Sequence, residues 1–305
     1  MGYVDLYVVR RPLTFAGIEG DRGRALFSVV GVPFDSTSTH RTGQRYGPLF
    51  VREASMNIES NGYSVEGFIE DVPFYDEGDV GVVHGSVGVT IDRVSKVVSE
   101  IAGEGRVPVV IGGEHTITLG VIRGLKATGL RPCVLAFDAH FDLRLNYLSN
   151  TLSHACTMRR VLEELGGVNI AFIGVRGFDR EELSFANGNP QITYYTPRTL
   201  ESMGVASVVS EVKKFLSECG ELYITVDMDV YDPAYAPGVG NPEPGGLTSR
   251  EALPMLAALV DERVVGLDVM EVTPQYDVGG VTSMLAAKTL QEALIAAFKG
   301  RAKQP

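Results

Sequence analysis

Cysteine is scarce in this chain. Cys133, Cys156 and Cys219 are the three in 305 residues, odd in number, widely spaced and outside any CxxC pattern. A disulfide framework and a thiolate metal site are both unexpected on that count. Cys133 opens an apolar run and reads as a small buried hydrophobe, so a reducing, cytoplasmic setting is expected. Basic residues are in deficit too: 27 Lys and Arg against 38 Asp and Glu leave a formal net charge of −11. The basic pairs Arg10-Arg11 and Arg159-Arg160 are short, which argues against nucleic acid as a partner. A small cationic molecule suits an acidic chain better. No apolar run reaches 18 residues, and no basic stretch followed by an apolar core opens the chain, so neither a membrane span nor an export signal is expected. Internal repeats, low-complexity tracts and Ser- or Pro-rich linkers are missing as well, and 1–305 reads as one domain.

What is present is alternation. Apolar runs rich in β-branched residues recur at 25–32, 107–111, 133–137, 168–174, 222–226 and 263–269, with weaker ones at 72–75 and 192–195. Helical periodicity lies between them at 87–102, 118–127, 156–165, 206–218, 249–260 and 284–298. In the first of these, Val87, Ile91, Val94, Val98 and Ile101 form one buried stripe. Strand–helix alternation predicts an α/β fold: a single three-layer domain, its mostly parallel sheet of about eight strands covered by helices on both faces. The Gly- and Pro-rich stretch 236–246 predicts an ordered loop at the strand mouth.

Acidic clusters close three of the apolar runs. Asp138, His140 and Asp142 follow 134–137, Asp227 and Asp229 follow 222–226, and His115 follows Gly112-Gly113-Glu114 after 107–111. Side chains alternate along extended chain, so members of each cluster share a face. Ligands of open α/β sheets gather where strands end. A single Asp-x-Asp is usually a solvated turn or cap and a single His a core or surface residue; three clusters at three strand ends point to metal. Oxygen donors with a minority of nitrogen suit Mn²⁺, and Mg²⁺ less well. The six residues suffice for two ions if Asp138 and Asp227 bridge. Such a site lowers the pKa of water and predicts hydrolysis, of phosphoesters, peptides, amides or guanidines alike. His154 reads either as a proton shuttle or as a helix-start histidine. Glu271, just past 264–269, reads either as a carboxylate for a planar guanidinium or as a cap.

Taken together, Gly112 to His115, Asp138 to Asp142, Asp227 to Pro233 and Asp268 to Glu271 resemble the four signatures of the ureohydrolases, the arginase–agmatinase family, in order over about 30–295. The stretch 232–248, Gly31 to Asp35, Arg45 to Pro48 and Arg52 are similar to the agmatinase branch. The resemblance implies two Mn²⁺ per chain, one on His115, Asp138, Asp142 and Asp227, the other on His140, Asp138, Asp227 and Asp229. It implies attack of a metal-bridging hydroxide on a guanidinium carbon, with Asp142 orienting the hydroxide, His154 exchanging protons with solvent and Glu271 holding the guanidinium. Agmatine would give putrescine and urea, as in polyamine biosynthesis, in a homo-trimer or homo-hexamer. At the positions where arginase holds its amino-acid carboxylate this chain has Arg144, Asn150 and Leu152, which favours a substrate without an α-carboxylate. Arg144 could instead attract an acid tail such as guanidinobutyrate. Ala155 stands where many relatives have Gly, and Asp179 where relatives contact the substrate amine or where Arg180, Glu181 and Glu182 start a solvated helix. Arginine and aminopropyl-agmatine are the remaining substrates, and a catalytically silent homologue or a two-metal phosphoesterase the rival classes.

Overall fold

The computed structural model describes residues 2–302. Nine strands form one sheet: β1 (Val8–Val9), β2 (Phe27–Gly31), β3 (Phe74–Val80), β4 (Val107–Ile111), β5 (Cys133–Phe137), β6 (Ile170–Ile173), β7 (Ile192–Tyr195), β8 (Leu222–Asp227) and β9 (Val264–Met270). Their spatial order is β1-β3-β2-β4-β9-β8-β5-β6-β7, and only β1 runs antiparallel to its neighbour. It is the one strand beyond the eight expected, too short at two residues to show a period. Every residue of β2, β4, β5 and β8 is buried. That is why these strands read as continuous apolar runs rather than alternating ones.

Helices α3 (Val87–Gly103), α4 (Ile117–Ala127) and α5 (Thr157–Leu165) pack side by side on one face. The other face carries the row α2 (Gly47–Ser55), α10 (Val281–Ala302), α9 (Ser249–Leu259) and α8 (Val205–Phe215). Right-handed crossovers account for the division, since connections stepping one way along the sheet put their helices on one face. α4 approaches α3 through Gly120 and Gly124. A Cβ on either would come within 2.9 Å of Val94 or 2.6 Å of Val98. α2 was not expected because it opens on Gly47-Pro48, Pro being tolerated in the first turn. From it, buried Arg52 forks Asp76 at 2.8 and 2.9 Å and reaches Asp79 at 2.6 Å. That ties α2 to β3.

After β4 the chain passes through α4 to β5 and leaves two places that β9 and β8 fill later. The carboxyl ends of β4, β9, β8 and β5 therefore stand in a row at the middle of the sheet, a topological switch point.

One expectation from the cysteines is overturned. Cys133 and Cys219, 86 positions apart in sequence, form a disulfide with Cα atoms 6.0 Å apart. Cys133 opens β5, and Cys219 lies just before β8, whose Leu222 pairs with it. Strand order brings the two thiols together, and sequence spacing carries no trace of that order. Cys156 is free and buried. With the bond in place, the cysteines no longer argue for a reducing compartment. No helix among the described residues is long and apolar enough to cross a membrane.

Candidate metal centre

All six residues expected as ligands converge at the switch point. Gly113 lies so close to β2's exit that a Cβ there would sit 1.8 Å from the Phe34 carbonyl oxygen, so the chain can turn His115 inward only with Gly at this place. Asp227 ends β8, and the single 3₁₀ turn Met228–Val230 folds Asp229 back beside it. Asp142 and Glu271, non-glycine residues at the exits of β5 and β9, hold left-handed φ values of 50° and 69°. Strain of this kind collects at functional sites.

His115 Nδ1 lies 3.1 Å from Asp138 Oδ2, 3.1 Å from Asp142 Oδ2 and 3.3 Å from Asp227 Oδ2. His140 Nδ1 lies 3.0 Å from Asp229 Oδ2 and 3.7 Å from Asp138 Oδ1. Among the described residues, two groups bring ligand atoms close enough to share an ion: His115, Asp138 and Asp142, and Asp138, His140 and Asp229. Asp138 belongs to both. Asp227 turns one oxygen to this cluster, while its Oδ1 accepts the Asp229 amide at 2.9 Å.

The donor set fits divalent cations on internal grounds. His115 Nε2 meets Thr225 Oγ1 at 2.9 Å, whereas His115 Nδ1 and Asp138 Oδ2 are buried without any hydrogen-bond partner. A buried imidazole nitrogen facing three carboxylate oxygens must carry a proton or share a cation with them. In the cation-free protein, burial raises Asp138 to about 7, helped by repulsion from Asp229 and Asp142. Burial, then repulsion from Asp229 and Asp138, drives Asp227 well above the carboxylate range. Burial opposes charge on His140, yet Asp229 outweighs it and lifts the imidazole to about 10. Burial would also raise Asp229, but His140 brings it down to about 2. Protons thus do the neutralising when no cation is bound, and metal uptake must displace them.

His154 faces the same cavity, about 150 Å³ in volume, whose wall includes His140, Asp142, Arg144, Tyr147 and Asn241. Its Nδ1 lies 2.9 Å from the Thr37 carbonyl, which can only accept, so the proton sits on Nδ1 and the Nε2 lone pair faces the cavity. Thr39 Oγ1 and Asn241 Nδ2 stand 3.4 and 3.5 Å from Nε2. Thr37 is itself held by buried Glu114, which accepts its amide at 2.6 Å and its hydroxyl at 2.7 Å. Glu271 accepts the His115 amide at 2.8 Å and Gln44 Nε2 at 2.9 Å, and burial raises it to about 7.

A sequence model of the Arginase family matches residues 25–296. The chain belongs to that family. It is 34% identical over 281 residues to an N(1)-aminopropylagmatine ureohydrolase of Thermococcus kodakarensis, covering 91% of this chain and 92% of the relative. The structure of an agmatine ureohydrolase of Thermoplasma volcanium superposes with a TM-score of 0.83 at 34% identity, covering 98% of this chain and 96% of that one. Proclavaminate amidino hydrolase from Streptomyces clavuligerus gives 0.87 at 31% identity, covering 95% and 98%. The chain is thus an arginase-family amidinohydrolase.

The remaining residues expected at this arginase-family site fall in different places. Arg144 lines the cavity, but its Nη1 pairs with Asp179 Oδ2 at 2.8 Å. Asp179 caps α6 (Arg180–Asn187) in a capping box with Glu182, the expected helix start, with Arg180 and Glu181 exposed and Glu182 buried. Asn150 turns into its own loop, where its Oδ1 accepts the Leu152 amide at 2.9 Å.

Arg176 was not singled out in the sequence. Half-buried between three segments, it donates only to main-chain carbonyls. Nη2 reaches Asp229 and Glu243 at 2.7 Å and Tyr231 at 3.4 Å. Nη1 reaches Gly174 at 2.9 Å and Val230 at 3.2 Å, and Nε reaches Glu243 at 3.1 Å. It clamps the turn that carries Asp229 to the loop after β6 and to the 236–246 loop. Desolvation pulls its pKa down, a cost the carboxylates of the site offset. Arg176→Lys, which loses the planar fork, should weaken Mn²⁺ binding roughly 10–100-fold, the usual size of an outer-shell effect. A calorimetric titration showing unchanged affinity would remove Arg176 from the site.

Proposed function

We propose that this chain is a binuclear-metal hydrolase of a guanidino compound, converting agmatine and water to putrescine and urea. The observation that carries the reading is the pair of ligand groups sharing Asp138, with His115 Nδ1 and Asp138 Oδ2 buried and left without hydrogen-bond partners. Two Mn²⁺ held by His115, Asp138, His140, Asp142, Asp227 and Asp229 would supply a nucleophilic water near neutral pH and charge stabilisation at the reacting carbon.

The chain's own groups divide the rest of the work. Asp142, held in a left-handed conformation with one oxygen on His115 Nδ1, is placed to take a proton from the water and pass it to the leaving nitrogen. His154, with its Nε2 lone pair on the cavity, exchanges that proton with solvent. Glu271, buried and charge-starved, draws the guanidinium inward. The products carry the same single charge as the guanidinium that entered, now on the released ammonium.

The tail is read as cationic because the wall beyond Asp142 holds Glu182 and, next to it, Asp179, while Arg144, the one Arg or Lys lining it among the described residues, is already paired. A longer polyamine tail, as in the N(1)-aminopropylagmatine of the Thermococcus relative's name, is the second reading. The acidic cavity that continues past Arg144 favours it. Urea release measured side by side on agmatine, aminopropyl-agmatine, arginine and guanidinobutyrate, with Mn²⁺ added, decides among them. Agmatine should be turned over with the highest kcat/KM; preference for guanidinobutyrate or arginine would overturn the cationic-tail reading.

A further inference from the structure

Arg144 stands between two cavities. One, of about 150 Å³, touches the candidate metal centre at His140 and Asp142. The other, of about 100 Å³, is walled by Asp179, Glu181 and Glu182. Arg144 and Glu182 are common to both walls. The guanidinium fills the gap, with Nη1 at 2.8 Å from Asp179 Oδ2, Nε at 3.5 Å from Glu182 Oε2 and Cζ 4.9 Å from the Tyr147 ring centre. Two carboxylates and an aromatic face make a cation site.

The carboxylate side of that site is built by the fold independently of Arg144. Asp179 is anchored as the cap of α6, its Oδ1 accepting the amides of Glu181 and Glu182 at 2.9 Å. Glu182 is anchored by the Leu143 amide at 3.1 Å and the Asp179 amide at 3.2 Å. Asp179 Oδ2 accepts no amide and is left for a cation, while each Glu182 oxygen already accepts one amide. The Arg144–Asp179 pair is about one-third exposed at both ends (33% and 39%), so it is weak and open to competition. Arg144 also rides a loop with left-handed residues at Leu148 and Ser149, whereas the carboxylates ride a helix start.

We propose that Arg144 is a built-in occupant of the substrate's tail subsite: a guanidine whose distal end is an ammonium displaces it from Asp179, Glu182 and Tyr147 and joins the two cavities into one cleft. This rests on the guanidine-hydrolase reading for the identity of the reacting end. It assigns Arg144 the role of a competitor for cationic tails, not a receptor for acidic ones.

Simple diamines test the subsite without requiring catalysis. Binding of 1,4-diaminobutane and spermidine to the Mn²⁺-loaded protein should tighten about 10-fold in Arg144→Met, which keeps bulk and removes the charge, in keeping with loss of an exposed ion pair and a cation–π contact. Asp179→Asn in that background should cancel the gain while leaving α6 capped, since Asn caps as well as Asp. In kinetics, KM for agmatine and aminopropyl-agmatine should fall in Arg144→Met and KM for guanidinobutyrate should not. Diamine affinity that is unchanged or weaker in Arg144→Met overturns the proposal, as does a gain that survives Asp179→Asn. If wild-type protein releases urea from no guanidine, the functional reading fails, and diamine binding still decides the role of Arg144.

Discussion

Asp138→Ala should abolish urea release and leave the protein unable to hold two metal ions. Asp138 is the one residue in both ligand groups, and its Oδ2 is a buried oxygen with no other partner. Removing it takes a ligand from each position at once, whereas His115→Ala or His140→Ala takes a ligand from one. Folding should survive: the cation-free cluster holds this carboxyl at about 7 through burial and repulsion. A raised carboxyl pKa means that ionised Asp138 destabilises the cation-free fold above the ordinary carboxylate range. Its melting temperature near pH 8 should therefore not fall on substitution. The same protonation sets the sign of the pH dependence. With His140 at about 10 and Asp138 at about 7, loading at pH 7.5 displaces a proton from His140 and part of one from Asp138. Affinity must then fall as pH falls. Calorimetry of Mn²⁺ binding in two buffers of different ionisation enthalpy reads the released protons, and elemental analysis reads the metal content. Retention of two ions per chain in Asp138→Ala would refute the shared-ligand role.

His154→Ala should leave metal content and diamine binding intact and slow turnover by about 10²–10⁴, the usual size of a positioned acid–base group. The geometry separates the two effects. His154 donates Nδ1–H to the Thr37 carbonyl and turns Nε2 to the cavity, and it lies outside both ligand groups. An unchanged turnover rate would take His154 out of the proton path. Lost metal would show that it supports the centre structurally instead.

How far each residue could be read from the chain follows from the range of its contacts. Asp138, His140 and Asp142 announce themselves because a run of buried apolar residues ends and a cluster of acids begins within five positions. Asp227, Asp229 and His115 do so by the same local contrast. Glu114 lies inside one of those motifs, yet its partner Thr37 is 77 residues away, and nothing local marks a glutamate that holds a distant loop. Arg176, in Gly174-Val-Arg-Gly177, looks like any surface arginine. It becomes a clamp only because β6 ends beside the turn after β8. Arg144 reads as a free cation from sequence and is a paired one in the fold, since α6 delivers Asp179 to it.

By itself, then, the sequence determined the strand mouths, the six candidate ligands and the family of chemistry, because burial and charge alternate over a few residues and leave a local trace. The tertiary structure alone decided that, of the two residues expected to be shared, Asp138 and not Asp227 belongs to both close-set ligand groups, that Cys133 bonds Cys219, and that Arg144 pairs with Asp179. Each of these depends on the order β4-β9-β8-β5 or on a helix docked across a loop. Contacts between segments tens of residues apart are set by strand order and crossover hand, and neither is written in any short stretch of chain.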